Sequence, residues 1–464
     1  MKKYDVAVIG AGAGGLTAAY TSLGFQKKVL LIDKNKPGGE CTWSGCVPSK
    51  ALINIAEEIY MAKKISPNLE VDTTKVLERV RERIGKVYED ENPEKLMKDG
   101  IDYINGFAKF IDNNTLEVNG QKISAKKIII ATGAGPFVPP IKGIDKIKYL
   151  TNENIFELKE LPKSMVILGG GPIGTELAQA LNRVGVKIEL VDKNDTVLAR
   201  EEPELSKLLT ERLKNEGINI HTSTRAVDVN LEEDKILVKA IKDNEEFIIE
   251  GESILIALGR RVRISGMNLE KIGVITNKGG IEINKYLETG VNGVYAIGDV
   301  TGPYRFSHMA NYQGILAVQN AFLPFNKKAN YDNVAWCTYT EPELARAGML
   351  EKEAREKYGD EIRIYEHSYD NIDRANTKEN SIGLVKVILD KKGKVLGVSI
   401  LGDRAGEIIS EVQVVKTLGI NFAKLADVIH PYPTYAEVLN KIGKKVKVDN
   451  LLNNPVVKMF KKSK

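Results

Sequence analysis

The sequence carries only three cysteines in 464 residues, too few for the disulfide framework that staples small secreted domains. It has just four histidines, so a Cys/His metal cluster has little to draw on. It is poor in charge of one sign: 67 basic against 62 acidic side chains leave a formal +5, which is no electrostatic footprint for nucleic acid. It lacks any run near the roughly 20 apolar residues that a spanning helix needs. Met-Lys-Lys leads straight into a strand-like run, Tyr4 to Ile9, with no leader pattern. The expectation is a soluble, cytoplasmic chain with no nucleic-acid partner, no membrane insertion and no metal. The lysines between Lys441 and Lys464 read as a solvated helix and frayed end.

What is present is a repeat. The length suggests about three domains at roughly 150 residues each. Tyr4 to Ile9 is a short apolar run ending in Gly10-Ala-Gly12-Ala-Gly-Gly15, followed by a helix-like Leu16 to Leu23 and a second strand-like run, Lys28 to Asp33. In such a unit Gly10 permits the tight turn, Gly12 lets the backbone approach a pyrophosphate, and Gly15 lets helix and strand pack closely. The helix N-terminus supplies the anion site. Asp33, 23 residues after Gly10 and next to Lys34, stands where a carboxylate binds ribose hydroxyls. The unit recurs as Ser164 to Leu168, then Gly169-Gly-Gly171-Pro-Ile-Gly174, a helix through Leu181, and Val186 to Asp192, again with the acid 23 residues on. Two cradles imply two dinucleotides, one held as a prosthetic group and one exchanged.

Three further strand-like runs end in glycine near these cradles: Lys127 to Ala131 before Thr132-Gly133, Ser253 to Leu258 before Gly259-Arg260, and Gly293 to Ile297 before Gly298-Asp299. Ligands of open α/β sheets sit at the carboxyl ends of strands, so Asp299 is a candidate for a flavin's ribityl chain. The expected fold is α/β, with two Rossmann-like domains and a C-terminal α+β domain. Residues 1–150 and 271–333 make one split dinucleotide domain, 151–270 the second, and 334–464 the third. Lys386 to Leu389 and Val395 to Leu401 read as a hairpin around Lys391-Lys-Gly393.

Cys41 and Cys46 lie in Gly38-Gly39-Glu40-Cys41-Thr-Trp-Ser-Gly45-Cys46-Val-Pro48-Ser-Lys50. Pro48 and the residues to Tyr60 predict a helix that begins beside Cys46. Its dipole and Lys50 would stabilise a thiolate there and lower its pKa. A bridge across so short a loop constrains the unfolded chain little, so redox turnover explains the pair better than stability does. A zinc site would need further ligands, and Cys337 is distant in sequence; Cys337 reads as a small buried hydrophobe.

Over its whole length the chain resembles the pyridine nucleotide-disulfide oxidoreductases, the family of dihydrolipoamide dehydrogenase, glutathione reductase and mercuric reductase. The match is carried by Gly38 to Lys50, the two cradles, Gly174-Thr-Glu176, Gly298-Asp299, Tyr339-Thr-Glu-Pro342-Glu and Gly402-Asp-Arg-Ala-Gly406-Glu. The resemblance implies one FAD per subunit and NAD(H), with NADP(H) not excluded. It makes Cys46 the flavin-proximal thiol, Cys41 the interchange thiol, and Glu176 an acid that pairs with Lys50. It also implies a homodimer whose active sites are shared across the interface, acting on a small-molecule disulfide or another two-electron acceptor.

One stretch departs from the family. Where dihydrolipoamide dehydrogenase and glutathione reductase carry His-Pro-Thr-x-x-Glu, with the glutamate orienting a catalytic histidine, this sequence reads His430-Pro-Tyr432-Pro433-Thr434-Tyr-Ala-Glu437. Mercuric reductases also place a tyrosine there, but they end in a cysteine pair that this sequence lacks. A tyrosine with a pKa near about 10 is a poor base at neutral pH. An extended conformation would put His430 on the same face as Tyr432, making it a substitute base, or else a satisfied structural residue. The expected activity is an NAD(P)H-dependent disulfide or thiol-reactive reductase. The alternatives are a reductase of quinones or small oxidants with the disulfide as modulator, and a non-catalytic flavin-binding sensor.

Overall fold

The computed structural model describes residues 2–378 and 380–454; the end of the lysine-rich stretch, 455–464, lies outside them. The first sheet runs in the order Asp102–Asn105, Val29–Asp33, Lys2–Ile9, Gln121–Ile130, Thr115–Val118, Ala108–Asp112, with Val294–Ala296 also beside Gln121–Ile130. Its central strands are parallel and buried on both faces, which is why they read as unbroken Val/Ile/Leu runs instead of alternating ones. The second sheet is wholly parallel: Asn219–His221, Lys187–Val191, Ser164–Leu168, Ser253–Ile256.

The two glycine-rich turns fold alike. Gly10 and Gly169 adopt φ of +106° and +109°, a region where a side chain is strained. A Cβ on Gly15 would overlap the Gly10 carbonyl oxygen, and one on Gly174 would overlap that of Gly169. The helices Ala13–Gly24 and Pro172–Arg183 can therefore start this close to their strands only with glycine there.

The polypeptide crosses between the two sheets at a small ladder of Ala134–Pro136 against Arg260–Val262. Val138, Ile141 and Ile144 pack on the second sheet with Val166 and Ile256. Met267 and Leu269 pack on the first with Ile128 and Ile130. The boundaries expected near 150 and 270 thus fall inside packed units, because these short segments carry no linker composition to mark the crossing. Not expected was a three-stranded antiparallel sheet, Arg225–Glu232, Lys235–Lys242 and Glu245–Gly251, in the second unit. Its signal, apolar alternation around Asp243-Asn244, is present in the sequence.

The C-terminal region is a five-stranded antiparallel sheet, which includes the hairpin Leu384–Leu389 and Val395–Gly402, covered by the helices Ala405–Thr417 and Glu437–Leu452. Lys386 on that hairpin is fully buried at the border with the second unit. Its ammonium lies 2.6 Å from Glu204, 2.8 Å from Glu351, 3.3 Å from Glu366 and 4.0 Å from Glu202.

Of the four carboxylates only Glu202 is buried, so removing the ammonium leaves one uncompensated buried charge, the others being screened by solvent. Lys386→Met is therefore expected to lower the urea midpoint strongly, and Glu202→Gln in the same chain should recover part of the loss, since Glu202 is itself buried. A single variant with an unchanged midpoint would show that the cluster contributes nothing.

Candidate active site

One cavity of about 2820 Å³ runs between the units, well beyond the roughly 300–1,000 Å³ of a single-ligand pocket. At one end it is lined by Gly10, Gly12, Asp33, Lys34, Thr132 and Gly133, and at the other by Gly169, Gly171, Asp192 and Gly259. Between them lie Gly39, Cys41, Cys46, Lys50, Glu176, Arg260, Gly298 and Asp299. Gly15 and Gly174 are not in the wall; they sit at the helix–strand contacts described above.

The acids of the two cradles are placed alike. Asp33 Oδ2 accepts from the Ala11 N–H at 2.6 Å and Oδ1 from the Asn35 N–H at 2.8 Å. Asp192 Oδ2 accepts from the Gly170 N–H at 2.6 Å and Oδ1 from the Asn194 N–H at 2.7 Å. Each carboxylate thus ties the turn to the end of the second strand before any ligand is considered. Burial pushes the Asp33 carboxyl above its ordinary value. The residues fit a bound dinucleotide: Thr132 Oγ1, Arg260 Nε and Arg305 Nε are buried in this wall without a hydrogen-bond partner among the described residues, and buried polar atoms are rarely left so.

The thiols come from two consecutive helices. Cys41 belongs to the short helix Gly39–Trp43, and Cys46 is the first residue of the 20-residue helix Cys46–Ile65. Both stand as free thiols. Hydrogen bonding between the two thiols is the largest cause that draws the Cys46 thiol down, to about 6, against opposing burial; Ser307 and the charge of Lys50 add to the lowering. The same hydrogen bond, with burial, pushes the Cys41 thiol far up. A negative charge on the pair is thus favoured on Cys46, at the positive end of a helix.

Around the pair, Lys50 Nζ lies 2.7 Å from Glu176 Oε2 and 4.5 Å from the Tyr339 ring centroid. Glu176 Oε1 accepts from the Tyr339 N–H at 2.8 Å. Arg260 forks between Glu40 at 2.6 Å and Asp299 at 2.9 Å, and burial raises the Asp299 carboxyl against the lowering pull of Arg260. Glu40 and Tyr339 were visible only as motif neighbours, and Ser307 had no sequence signal at all.

His430, Tyr432 and Glu437 do not line the cavity. The shared face expected for His430 and Tyr432 is not seen: His430 is turned in, its Nε2 3.1 Å from Glu411 and its Nδ1 3.2 Å from the Val428 carbonyl, whereas Tyr432 is 71% exposed. Pro431 and Pro433 lack the N–H groups that an extended ladder requires. The Tyr432 hydroxyl donates to Asp373 Oδ2 at 2.8 Å, not to Glu437, and that bond raises its pKa. Glu437 instead pairs with Lys441 at 3.2 Å.

Two cradles opening on one dithiol define a flavin- and nicotinamide-linked thiol oxidoreductase. The comparisons agree: residues 4–322 match the family "Pyridine nucleotide-disulphide oxidoreductase" and residues 334–442 its dimerisation domain. A mercuric reductase of Bacillus cereus is 34% identical, the match covering 94% of this chain and 70% of that one. A dihydrolipoyl dehydrogenase of Thermus scotoductus is 34% identical over 95% and 96%. Among solved structures, the Cu(II) complex of the HOCl-induced flavoprotein disulfide reductase RclA from Escherichia coli superposes with a TM-score of 0.87 at 29% identity, covering 96% of this chain and 100% of that one. The chain belongs to the pyridine nucleotide-disulfide oxidoreductase family. It is an FAD-dependent NAD(P)H:disulfide oxidoreductase, and its dimerisation domain supports a homodimer. Among the described residues no helix is long and apolar enough to cross a membrane.

Ultraviolet thiolate absorbance of the reduced protein is expected to rise with a midpoint near pH 6, the value to which Cys46 is lowered. The group is neutral below that pH and charged above it, and Cys46→Ser should remove the step. A single step near about pH 8.5, the ordinary thiol value, would contradict the placement of the charge.

Proposed function

We propose that Cys41 and Cys46 form the redox pair, Cys46 facing the flavin and Cys41 meeting the acceptor. The observation that carries this reading is the placement of both thiols on consecutive helices in the cavity between the two cradles, Cys46 at a helix start; the lowering of Cys46 and the raising of Cys41 agree with it. The cradle of Gly10, Gly12, Gly39, Lys34, Thr132 and Gly133, with Asp33 and Asp299, would hold FAD. The cradle of Gly169, Gly171 and Asp192, with Gly259 and Arg260 beyond it, would hold the nicotinamide dinucleotide. Bound FAD supplies the two-electron relay between nicotinamide and thiols.

The thiol chemistry then belongs to the protein. Cys41 gives up its proton as it attacks one sulfur of an acceptor disulfide; the new S–S bond forms as the acceptor S–S bond breaks, and that proton ends on the departing thiolate. The Cys46 thiolate attacks the Cys41 sulfur, closes the Cys41–Cys46 disulfide and expels the second thiolate, which is protonated from solvent. Two electrons have then left the dithiol, and the acceptor leaves as two thiols. Lys50, paired with Glu176, answers the charge on Cys46. Reduced nicotinamide and free thiols are cytoplasmic commodities, which supports a cytoplasmic location.

We read the nucleotide as NADH. Asp192 repeats the placement of Asp33, whose cofactor carries no 2′-phosphate, and a carboxylate at this position favours a free 2′-hydroxyl. A kcat/KM with NADPH equal to or above that with NADH would refute this.

Cys41→Ser should retain FAD and NADH-driven quinone reduction but lose disulfide reduction. Disulfide turnover at the wild-type rate would overturn the assignment of Cys41.

A second acceptor class is favoured by Tyr432. Exposed beside Ile429, which is 97% exposed, it is suited to reach the partner subunit's thiols across the dimer, but it offers a hydrogen-bond donor and no base. Relatives named as mercuric reductase and as a Cu(II) complex of a disulfide reductase make a soft metal ion a chemically sensible acceptor. Tyr432→His should raise dithiol turnover by about 10²- to 10⁴-fold, the usual worth of acid–base assistance, while lowering turnover of the native acceptor. A wild-type protein that already oxidises dihydrolipoamide as fast as NADH reduces its flavin would exclude this second reading.

A further inference from the structure

Ser307 is the first residue of the helix Ser307–Phe322. Its backbone is held firmly. That helix lies against the helix Ala13–Gly24 through the close approach of Gly14 to Ala310 and of Gly314 to the Gly14 carbonyl. The Gly298 N–H also donates to Gln313 Oε1 at 2.6 Å. The hydroxyl caps no helix; it lies 3.5 Å from Cys46 Sγ, within reach of a sulfur hydrogen bond. Cys46 otherwise meets the Cys41 thiol, the Lys50 ammonium on its own helix, and the Glu176 carboxylate, which opposes a negative charge.

We propose that Ser307 is a further residue of the reaction, a neutral donor that holds the single negative charge of the reduced pair on the Cys46 sulfur. The serine keeps its proton throughout, and no bond to oxygen forms or breaks. The sulfur at hydrogen-bond distance from the hydroxyl is that of Cys46, and a hydroxyl hydrogen bond strengthens when the acceptor is charged. Ser307 lowers the proton affinity of both thiols, in the sense that holds a charge on the pair.

The proposal rests on the redox-pair reading only where the flavin reports it. In the holoenzyme, reduced anaerobically by two electrons, the long-wavelength thiolate–flavin absorbance is followed against pH for wild type, Ser307→Ala and Ser307→Thr. Loss of a hydrogen bond to a charged sulfur should raise the half-height pH by about one in Ser307→Ala, and Ser307→Thr should return it to the wild-type value. Ser307→Ala titrating with wild type would overturn the proposal. The same comparison is made in a Cys41→Ser background by ultraviolet thiolate absorbance. There Cys46 alone ionises in this range, because burial pushes the Cys337 thiol well up. A rise in midpoint with Ser307→Ala is again expected, and none refutes the proposal. Absence of the long-wavelength band in wild type would count against the redox-pair reading, and the thiolate titration would still decide the role of Ser307.

Discussion

Everything at the centre of this protein answers to one negative charge on one sulfur. A thiolate is held at neutral pH only where it is met by positive potential and hydrogen bonds. Here the answer is built from the start of the Cys46–Ile65 helix, the Cys41 thiol, Ser307 and the Lys50 ammonium. Because the proton stays on Cys41, the two chemically identical side chains are made unequal, one a charge holder and one a protected nucleophile. Glu176 keeps this from becoming an excess of positive charge, and by accepting from the Tyr339 backbone it joins the site to the C-terminal region.

That connection is one of several, and they share a physical form. The second dinucleotide unit meets the C-terminal region through buried cations: Arg183 with Glu216 and Glu341, Arg346 with Glu353 and the Arg200 carbonyl, and Lys386 with its four carboxylates. The cations are buried while most of their carboxylates reach solvent, and a buried cation is exacting about where its partners stand. They orient the nucleotide cradle toward the thiols more sharply than apolar packing, which tolerates sliding, would do. The cost is a fold whose units depend on one another.

The stretch from His430 to Glu437 bears on acceptor chemistry. Its histidine is consumed by Glu411 and the Val428 carbonyl, and its tyrosine faces solvent with Asp373 as partner. Among the described residues of one chain, none of His430, Tyr432 and Glu437 lines the cavity that holds Cys41. The raised proton affinity of Cys41 therefore has to be overcome by whatever the partner subunit or the acceptor brings.

Much was legible in the residues alone. The glycine spacings, with Asp33 and Asp192 at fixed offsets, specified both cradles, because a backbone that must approach a neighbouring carbonyl tolerates only glycine. The parallel strands showed as unbroken apolar runs, the hairpin around Lys391 showed by its alternation, and the helix starting at Cys46 showed in Pro48. These are local constraints, set by steric and hydrogen-bonding rules over a few residues. What the sequence could not reveal depends on residues far apart in the chain: the crossing between sheets at Ala134–Pro136 and Arg260–Val262, the Arg260 fork joining Glu40 to Asp299, the burial of Lys386, and the opposite orientations of His430 and Tyr432. Ser307 is the sharpest case. It lies 261 positions from Cys46 in an undistinguished run, and only the packing of two glycine-faced helices brings its hydroxyl to the sulfur, because hydrogen bonds are decided by distances in space that no local pattern encodes.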